Sequence, residues 1–327
     1  MIALSCKEAI VTVHRHFILD IYSCNTGLLR YNVRCDLHVH TIHSGMCTLP
    51  LLKAICRECY SEPEAVYQTL RHRGMDLVTV SDHDSIDAAE ALRGHEDFFV
   101  SEEVTCRMPS GTELHVGVYD LTERQHVEIQ RRRNDLPRLT AYLNEQQLFY
   151  GVNHAFSALT GRRSGEDFDW FDSAFPAVEV RNGHTPERGN RLAERMAEHS
   201  GRAALGGSDA HTLRSLGSVS TRVPGARNKA EFLEGLRRGR GQVQGTSGSF
   251  WRLTRDVLQI GAALMEEKPA SRVLAPLALA IPAVTLVNYL TEDLFARYWG
   301  GRWERWRGLE RGASTGGFRP ASGEVGA

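Results

Sequence analysis

Neither sign of charge dominates this sequence, since 39 Lys and Arg stand against 40 Asp and Glu for a formal net charge of −1 at pH 7. No global field therefore draws the chain to nucleic acid or anionic lipid, and basic character is confined to local runs such as Arg131-Arg132-Arg133 and the arginine-rich end. Cysteine is sparse, with seven at irregular spacing. An odd count in a chain of this length does not resemble a secreted disulfide framework. Cys56-x-x-Cys59 has a redox or zinc spacing but no second pair, so buried or idle thiols are the plainer explanation. The first thirty residues lack an apolar run of signal-peptide length, and a cytoplasmic protein is expected. No Ser/His/Asp arrangement is legible, and the glycine pairs, Gly206-Gly207 included, lack the lysine of a phosphate-cradling loop.

What is present is an ordinary globular composition, 42% hydrophobic and 24% charged over 327 residues, enough for one large domain with an appendage. Residues 1–30 carry no readable function and stand as a leader. From Tyr31 the pattern is regular. A strand ends at His40. Ser61-Glu-Pro-Glu64 opens a helix running to His72, with Ser61 as N-cap and Glu64 in the capping-box position. Strands are expected over Asp76–Val80, Asp97–Thr105, Leu114–Tyr119, Leu148–Val152, Ala177–Val180 and Ala203–Leu205. Helices are expected over Ile86–Arg93, around Leu136, Leu139, Tyr142 and Leu143, and over Glu187–His199. Strands alternating with helices predict a parallel α/β arrangement.

The chemistry gathers at strand ends. In Asp36-Leu-His-Val-His-Thr41, His38 and His40 are two apart on a strand and emerge on one face. Later apolar runs deliver Ser81-Asp82-His83-Asp84, Glu102-Glu103 followed by His115, Asn153-His154, and Gly207-Ser208-Asp209-Ala210-His211. Ligand-type residues collecting after strand C-termini are a habit of βα barrels. Six strand ends converging on one point fit a closed or distorted barrel better than an open sheet.

Nitrogen and oxygen donors of this kind suit zinc, manganese or iron. His38, His40, Glu103 and Asp209 are expected around one ion, and Glu103, His115 and His154 around another, with Glu103 as the bridge. Glu102 is expected on the opposite, solvated face. His83 and His211 are candidates for a third ion or for a phosphate oxygen, and Asp209, His211 and His83 are the candidate catalytic groups. Asp36 and Asp82 are candidates for orienting neighbouring imidazoles. Paired ions activate water and neutralise phosphate oxygens, so hydrolysis with a metal-held hydroxide is the economical reading.

Asp36-x-His-x-His-Thr, Ser81-Asp-His, Glu103 with His115, His154, and Asp209-x-His211 resemble, in order and context, the PHP (polymerase and histidinol phosphatase) family of metal-dependent phosphoesterases. The resemblance runs from about Arg34 to Gly245. It implies a distorted (β/α)7 barrel, a centre of two or three divalent ions, and phosphoester hydrolysis. It carries over the ligand roles of His38, His40, Glu103, His115, His154 and Asp209, and assigns His83 and His211 to a third metal. Family members often place an Asp or His soon after the first motif, whereas here Ser44-Gly45-Met46 follows with only His43 nearby. Two held ions with a weak or absent third are therefore expected.

Within the family, the candidate substrates are histidinol phosphate, nucleotides and short oligonucleotides. Arg162, Arg163, Arg181 and His184 lie where a second phosphate or a sugar would bind. No polymerase body is expected from the composition and number of the residues that follow 245. The expected organisation is a leader at 1–30, a phosphoesterase domain at 31–247, a helical extension at 248–311 and a disordered tail at 312–327. Val273–Leu290 is almost uncharged and interrupted by Pro276 and Pro282. It reads as a kinked helix packed on the barrel or on another subunit, or as a membrane attachment at 273–290 anchored by Trp299, Trp303 and Trp306. Two rivals remain: an amidohydrolase-like C–N hydrolase, which also opens with His-x-His, and a non-catalytic metal-binding barrel with an interaction region.

Overall fold

The structure is a computed structural model that describes residues 31–47 and 52–309. The leader at 1–30 and the tail at 312–327 lie outside the described residues. Strands are β1 (Asn32–Cys35), β2 (Ser101–Arg107), β3 (Glu113–Tyr119), β4 (Phe149–Val152), β5 (Ala177–Asn182), β6 (Ala203–Gly207), β7 (Val219–Pro224) and β8 (Gln242–Gly245). Helices are α1 (Pro63–His72), α2 (Ala89–Leu92), α3 (Glu123–Arg132), α4 (Leu136–Glu145), α5 (Gly165–Ala174), α6 (Glu187–Ser200), α7 (Lys229–Arg237), α8 (Phe250–Glu267) and α9 (Ile281–Trp306).

The class is mixed α/β, as expected, but the strands form two sheets, β1-β7-β8 and β2-β3-β4-β5-β6. No closed barrel is found among the described residues. Nor is the arrangement all parallel: β2–β3 and β3–β4 run antiparallel, and only β4–β5 and β5–β6 are parallel within the larger sheet. The tight turn at Ser110-Gly111 and the short route from β2 to β3 leave no room for a crossover helix, so an antiparallel hairpin is the only connection.

The gap between the sheets is bridged differently. Segments near Val39, Val78 and His83 pair only through single parallel bridges, Val39 with Ala210, Val78 with Phe98 and His83 with Glu103. Side chains take over part of the backbone ladder there. Asp36 accepts from the Ser208 amide at 2.8 Å and the Gly217 amide at 2.7 Å. Asp82 accepts from the Thr41 amide at 2.6 Å, and Ser81 Oγ from the Val39 amide at 3.0 Å. Short polar side chains compete with strand pairing in this way. The expected strand at Asp76–Val80 is consequently reduced to the Val78 bridge.

Helix α1 begins at Pro63 rather than at Ser61, and its N-cap residue Glu62 makes no side-chain cap. Proline at the first position fixes the start, because its missing N–H would be unsatisfied there anyway. Helix α3 carries the capping box that α1 lacks, between Thr122 and Gln125. The main core lies between the larger sheet and helices α4–α6, with Val104, Val116, Leu139, Leu143, Phe168, Phe171 and Val178 buried together.

In the C-terminal extension, α8 is followed by a 3-10 segment, Pro269–Ala280, and then by α9. Pro276 cannot donate a helical hydrogen bond, and Pro282 falls in the first turn of α9, so the change of helix type comes where the prolines are. The far half of α9 is docked: Ala296 and Trp303 are buried, and Trp303 meets Phe156 edge-on at 5.9 Å. A Cβ at Gly300 would come within 2.3 Å of Leu192, so glycine is what lets α9 approach α6. The near half of α9 and the 3-10 segment before it are different, with Val287 65% and Leu279 88% exposed.

Candidate metal centre

The side chains expected at the centre do meet. Glu103, on β2, is buried with imidazoles facing both of its oxygens. Its Oε2 lies 3.1 Å from His38 Nε2, 3.4 Å from His40 Nε2 and 3.2 Å from His83 Nδ1. Its Oε1 lies 3.2 Å from both His115 Nδ1 and His154 Nε2. Asp209 Oδ1 faces the first group, 3.5 Å from His38 Nε2 and 3.1 Å from His40 Nε2. One carboxylate thus separates two sets of imidazoles. His38, His40 and Asp209 offer ligand atoms within 4.8 Å of one another, as do His83, Glu103 and His115, and His40, His83 and His211.

Local structure explains the convergence. Strand β6 can lie against the first motif only because Gly207 has no side chain: a Cβ there would fall 2.3 Å from the Cβ of His38. His154 and Asp209 hold positive φ, 28° and 54°. Such backbone costs about 1–3 kcal/mol per residue and persists where the surroundings enforce it. Here that strain turns both side chains inward just after their strands.

Four of the ligands, His38, His40, Glu103 and Asp209, are held from behind. His38 Nδ1 lies 2.9 Å from Glu179 Oε1, and Glu179 Oε2 also accepts from the His154 amide at 2.9 Å. His40 Nδ1 lies 2.9 Å from Ser44 Oγ, which donates to Asp82 at 2.6 Å. Asp82 therefore orients His40 through a hydroxyl, as the sequence suggested in outline. Asp36 does not orient an imidazole, because its carboxylate is occupied by backbone amides; burial raises its pKa to about 6. Asn153 Nδ2 donates to Glu103 Oε1 at 2.9 Å, and Asn182 Nδ2 to Asp209 Oδ2 at 3.0 Å.

The donor set fits divalent ions on the evidence of its own unpaired atoms. His38 Nε2, His40 Nε2, Glu103 Oε2, His115 Nδ1 and His211 Nε2 are buried without a hydrogen-bond partner, which a folded protein seldom tolerates without another occupant. Electrostatics agree. Burial would push Glu103 and Asp209 up, but the surrounding imidazoles, His38 foremost, hold both well below the usual carboxylate range. Burial and the neighbouring His211 depress His40 to about 3, leaving it a neutral ligand at pH 7.

Sequence reasoning missed Glu58. Its carboxylate faces both His83 Nε2 and His211 Nε2 at 3.6 Å, and against the cost of burial His211 brings it down to about 2. It stands in a loop rather than at a strand end, so the pattern that found the others passed over it. His43 joins none of the ligand groups among the described residues. Glu179 was also missed, although an acid inside the apolar run Ala177–Val180 was a usable signal. Glu102 is not solvated: it is fully buried, 2.8 Å from His126 Nδ1 and accepting from Gln130 at 2.9 Å. Helix α3 covers that face of β2.

The arginines divide. Arg163 is buried and spent on the protein itself, donating to the Glu113 carbonyl at 2.8 Å and to Thr160 at 2.5 Å, which removes it from the substrate candidates. Arg181 donates to the Gly245 carbonyl at 3.1 Å, and Arg162 is exposed. His184 does reach the centre, its ring stacked on His211 with centroids 5.7 Å apart. Cys56 and Cys59 are buried free thiols and join no ligand group among the described residues.

Among solved structures, PsfC from Pseudomonas syringae PB-5123 aligns with a TM-score of 0.51 at 16% identity, over 72% of this chain and 98% of that one. The lesion-specific endonuclease PfuEndoQ from Pyrococcus furiosus gives 0.46 at 18% identity over 65% and 58%. A candidate metal-dependent phosphoesterase from Bifidobacterium adolescentis gives 0.37 at 13% over 60% and 90%. At these identities the first likeness speaks for the fold alone, and the other two carry no argument. No curated protein matches the chain. The family model described as PHP-associated matches residues 187–240, a segment that includes Asp209 and His211. By that match residues 187–240 are similar to a PHP-associated segment, which agrees there with the resemblance read from Asp209-x-His211; the earlier motifs lie outside the match.

Proposed function

We propose that this chain is a metal-dependent phosphoesterase acting on a phosphomonoester or on a nucleotide or oligonucleotide ester. The observation that carries the reading is Glu103, a buried carboxylate whose two oxygens serve two separate sets of imidazoles. His38, His40, Asp209 and Glu103 would hold one ion, Glu103, His115 and His154 a second, and His83, His211 and Glu58 a third. Held there, divalent ions would supply an activated water, its pKa lowered to about 7, and neutralisation of phosphate oxygens. The chain's own part is to hold the donors rigid: Asn153 and Asn182 fix the carboxylates, and Glu179 and Ser44 fix the imidazoles. His83 and His211, at the more open side, face the substrate's phosphoryl group. Asp209 is the carboxylate that positions water beside it.

The phosphoesterase unit is assigned to 31–247 and the helical extension to 248–311. Peripheral membrane contact through 273–290 is supported by the absence of charge from Val273 to Thr291 and by the exposure of Val273, Leu279 and Val287; the expected tryptophan anchor is not part of it, because Trp303 is buried against Phe156. Element analysis of purified protein, with phosphate release screened over nucleotides, sugar phosphates and short oligonucleotides, tests the assignment. Turnover of a cyclic amide with no phosphate release from any ester would favour the C–N hydrolase instead. Bound metal without turnover of either would favour the non-catalytic barrel.

A further inference from the structure

Helix α8 of the extension reaches into the centre through one residue. Asp256 is 1% exposed, and its carboxylate accepts from Thr212 Oγ1 at 2.8 Å and Ser215 Oγ at 2.6 Å, with His184 Nε2 at 3.1 Å. Thr212 and Ser215 belong to the loop that follows Asp209-Ala-His211, so a single side chain ties that loop, His184 and the extension together. The His184 backbone is fastened as firmly. Its amide and that of Thr185 donate to Asn182 Oδ1 at 2.8 and 2.9 Å. Arg252, one turn before Asp256, donates to the Gly183 carbonyl at 2.7 Å. A Cβ at Gly248 would sit 2.1 Å from the His184 carbonyl oxygen.

The ring itself is only partly covered, with 16% of the side chain exposed, and Nδ1 makes no hydrogen bond among the described residues. Its ligand atoms lie with those of Asp209 and His211 in one group within 4.8 Å. This fastening fixes which ring nitrogen is left for a visitor. We propose, on the basis of the phosphoesterase reading, that His184, its Nε2–H held by Asp256, accepts through Nδ1 from a protonated phosphoryl oxygen (P–OH) of the substrate, and that Asp256 is its positioning residue. Residues 248–311 then complete the active centre rather than decorate it.

The test uses the full chain loaded with divalent metal. His184→Gln and Asp256→Asn each lower kcat/KM by about 10–100-fold, the range for partners that orient site residues. The double variant falls no further than His184→Gln alone, since Asp256 acts through that ring. In nitrogen-15 spectra the parent His184 shows a single tautomer with its proton on Nε2, and inorganic phosphate shifts its signals; Asp256→Asn gives mixed tautomers. The exposed neighbour Arg255→Ala leaves rate and spectra unchanged. Additive losses, or Asp256→Asn with parental kcat/KM, would overturn the positioning role. A His184 signal that phosphate does not move would overturn the contact. The spectra need no turnover, so a parent that hydrolyses no ester sinks the phosphoesterase reading while the phosphate shift and the tautomer still decide this one. Should Asp256→Asn fail to fold, a parent spectrum without the Nε2 proton refutes the Asp256 hold.

Discussion

His38 Nδ1, in the segment after β1, and Glu179 Oε1, on β5, lie 2.9 Å apart, and that contact decides which face of the imidazole the centre receives. With Nδ1 engaged, Nε2 turns to Glu103 and Asp209. Glu179→Gln should weaken the first ion about 10–100-fold, as loss of such a partner usually does. Competition with a calibrated chelator measures it, and parental affinity would mean that His38 is oriented without Glu179.

Glu103→Gln replaces one oxygen of the proposed bridge by an amide that cannot ligate two ions. Metal content should fall for both groups, and hydrolysis should fall at least about 100-fold, with melting temperature recorded to separate site from fold. Turnover at the parental rate would remove the bridging role.

Glu58 is proposed to complete the third group with His83 and His211. Glu58→Ala should weaken the loosest ion by about tenfold or more, the loss of one ligand, while the two tighter ones remain. Calorimetric titration of metal-free protein resolves the steps, and three unchanged steps would leave Glu58 without a ligand role.

His126 sits 2.8 Å from the buried Glu102, and that hydrogen bond raises its pKa above the ordinary imidazole value. A group raised on folding contributes stability that is fully present below its unfolded pKa of about 6.5 and is lost as pH rises through the folded value. The difference in urea midpoint between parent and His126→Gln should therefore be largest near pH 6 and shrink toward pH 9. A gap that widens with pH would show the sign to be wrong.

The exposed apolar surface that includes Leu279 and Leu286 should carry vesicle binding. The parent is expected to sediment with anionic vesicles, and Leu279→Asp with Leu286→Asp to stay in the supernatant at unchanged catalytic rate. If the parent stays soluble and instead dimerises in a manner these substitutions abolish, the surface belongs to a second copy of the chain.

Much of the centre was legible because it obeys a local rule, an apolar run that stops at a ligand-type residue. His38, Glu103, His154 and Asp209 all follow it. Glu58 and Asp256 do not, since one hangs in a loop and the other occupies a polar position on an amphipathic helix, where nothing separates it from a solvated acid. Glu102 misled for a related reason: alternation gives the face of a strand but not whether a helix covers that face, and α3 does. Closure of the barrel is not found among the described residues at the rim, where pairing depends on carboxylates from elsewhere in the chain rather than on the strands' own residues.

Asp36 and Asp82 fasten one sheet to the other with hydrogen bonds that the backbone would ordinarily supply. Neither carboxylate needs an ion to do so. A descendant of this chain could lose His38 or His154 and remain assembled, whereas losing either aspartate would open the seam itself, so architecture would outlast chemistry.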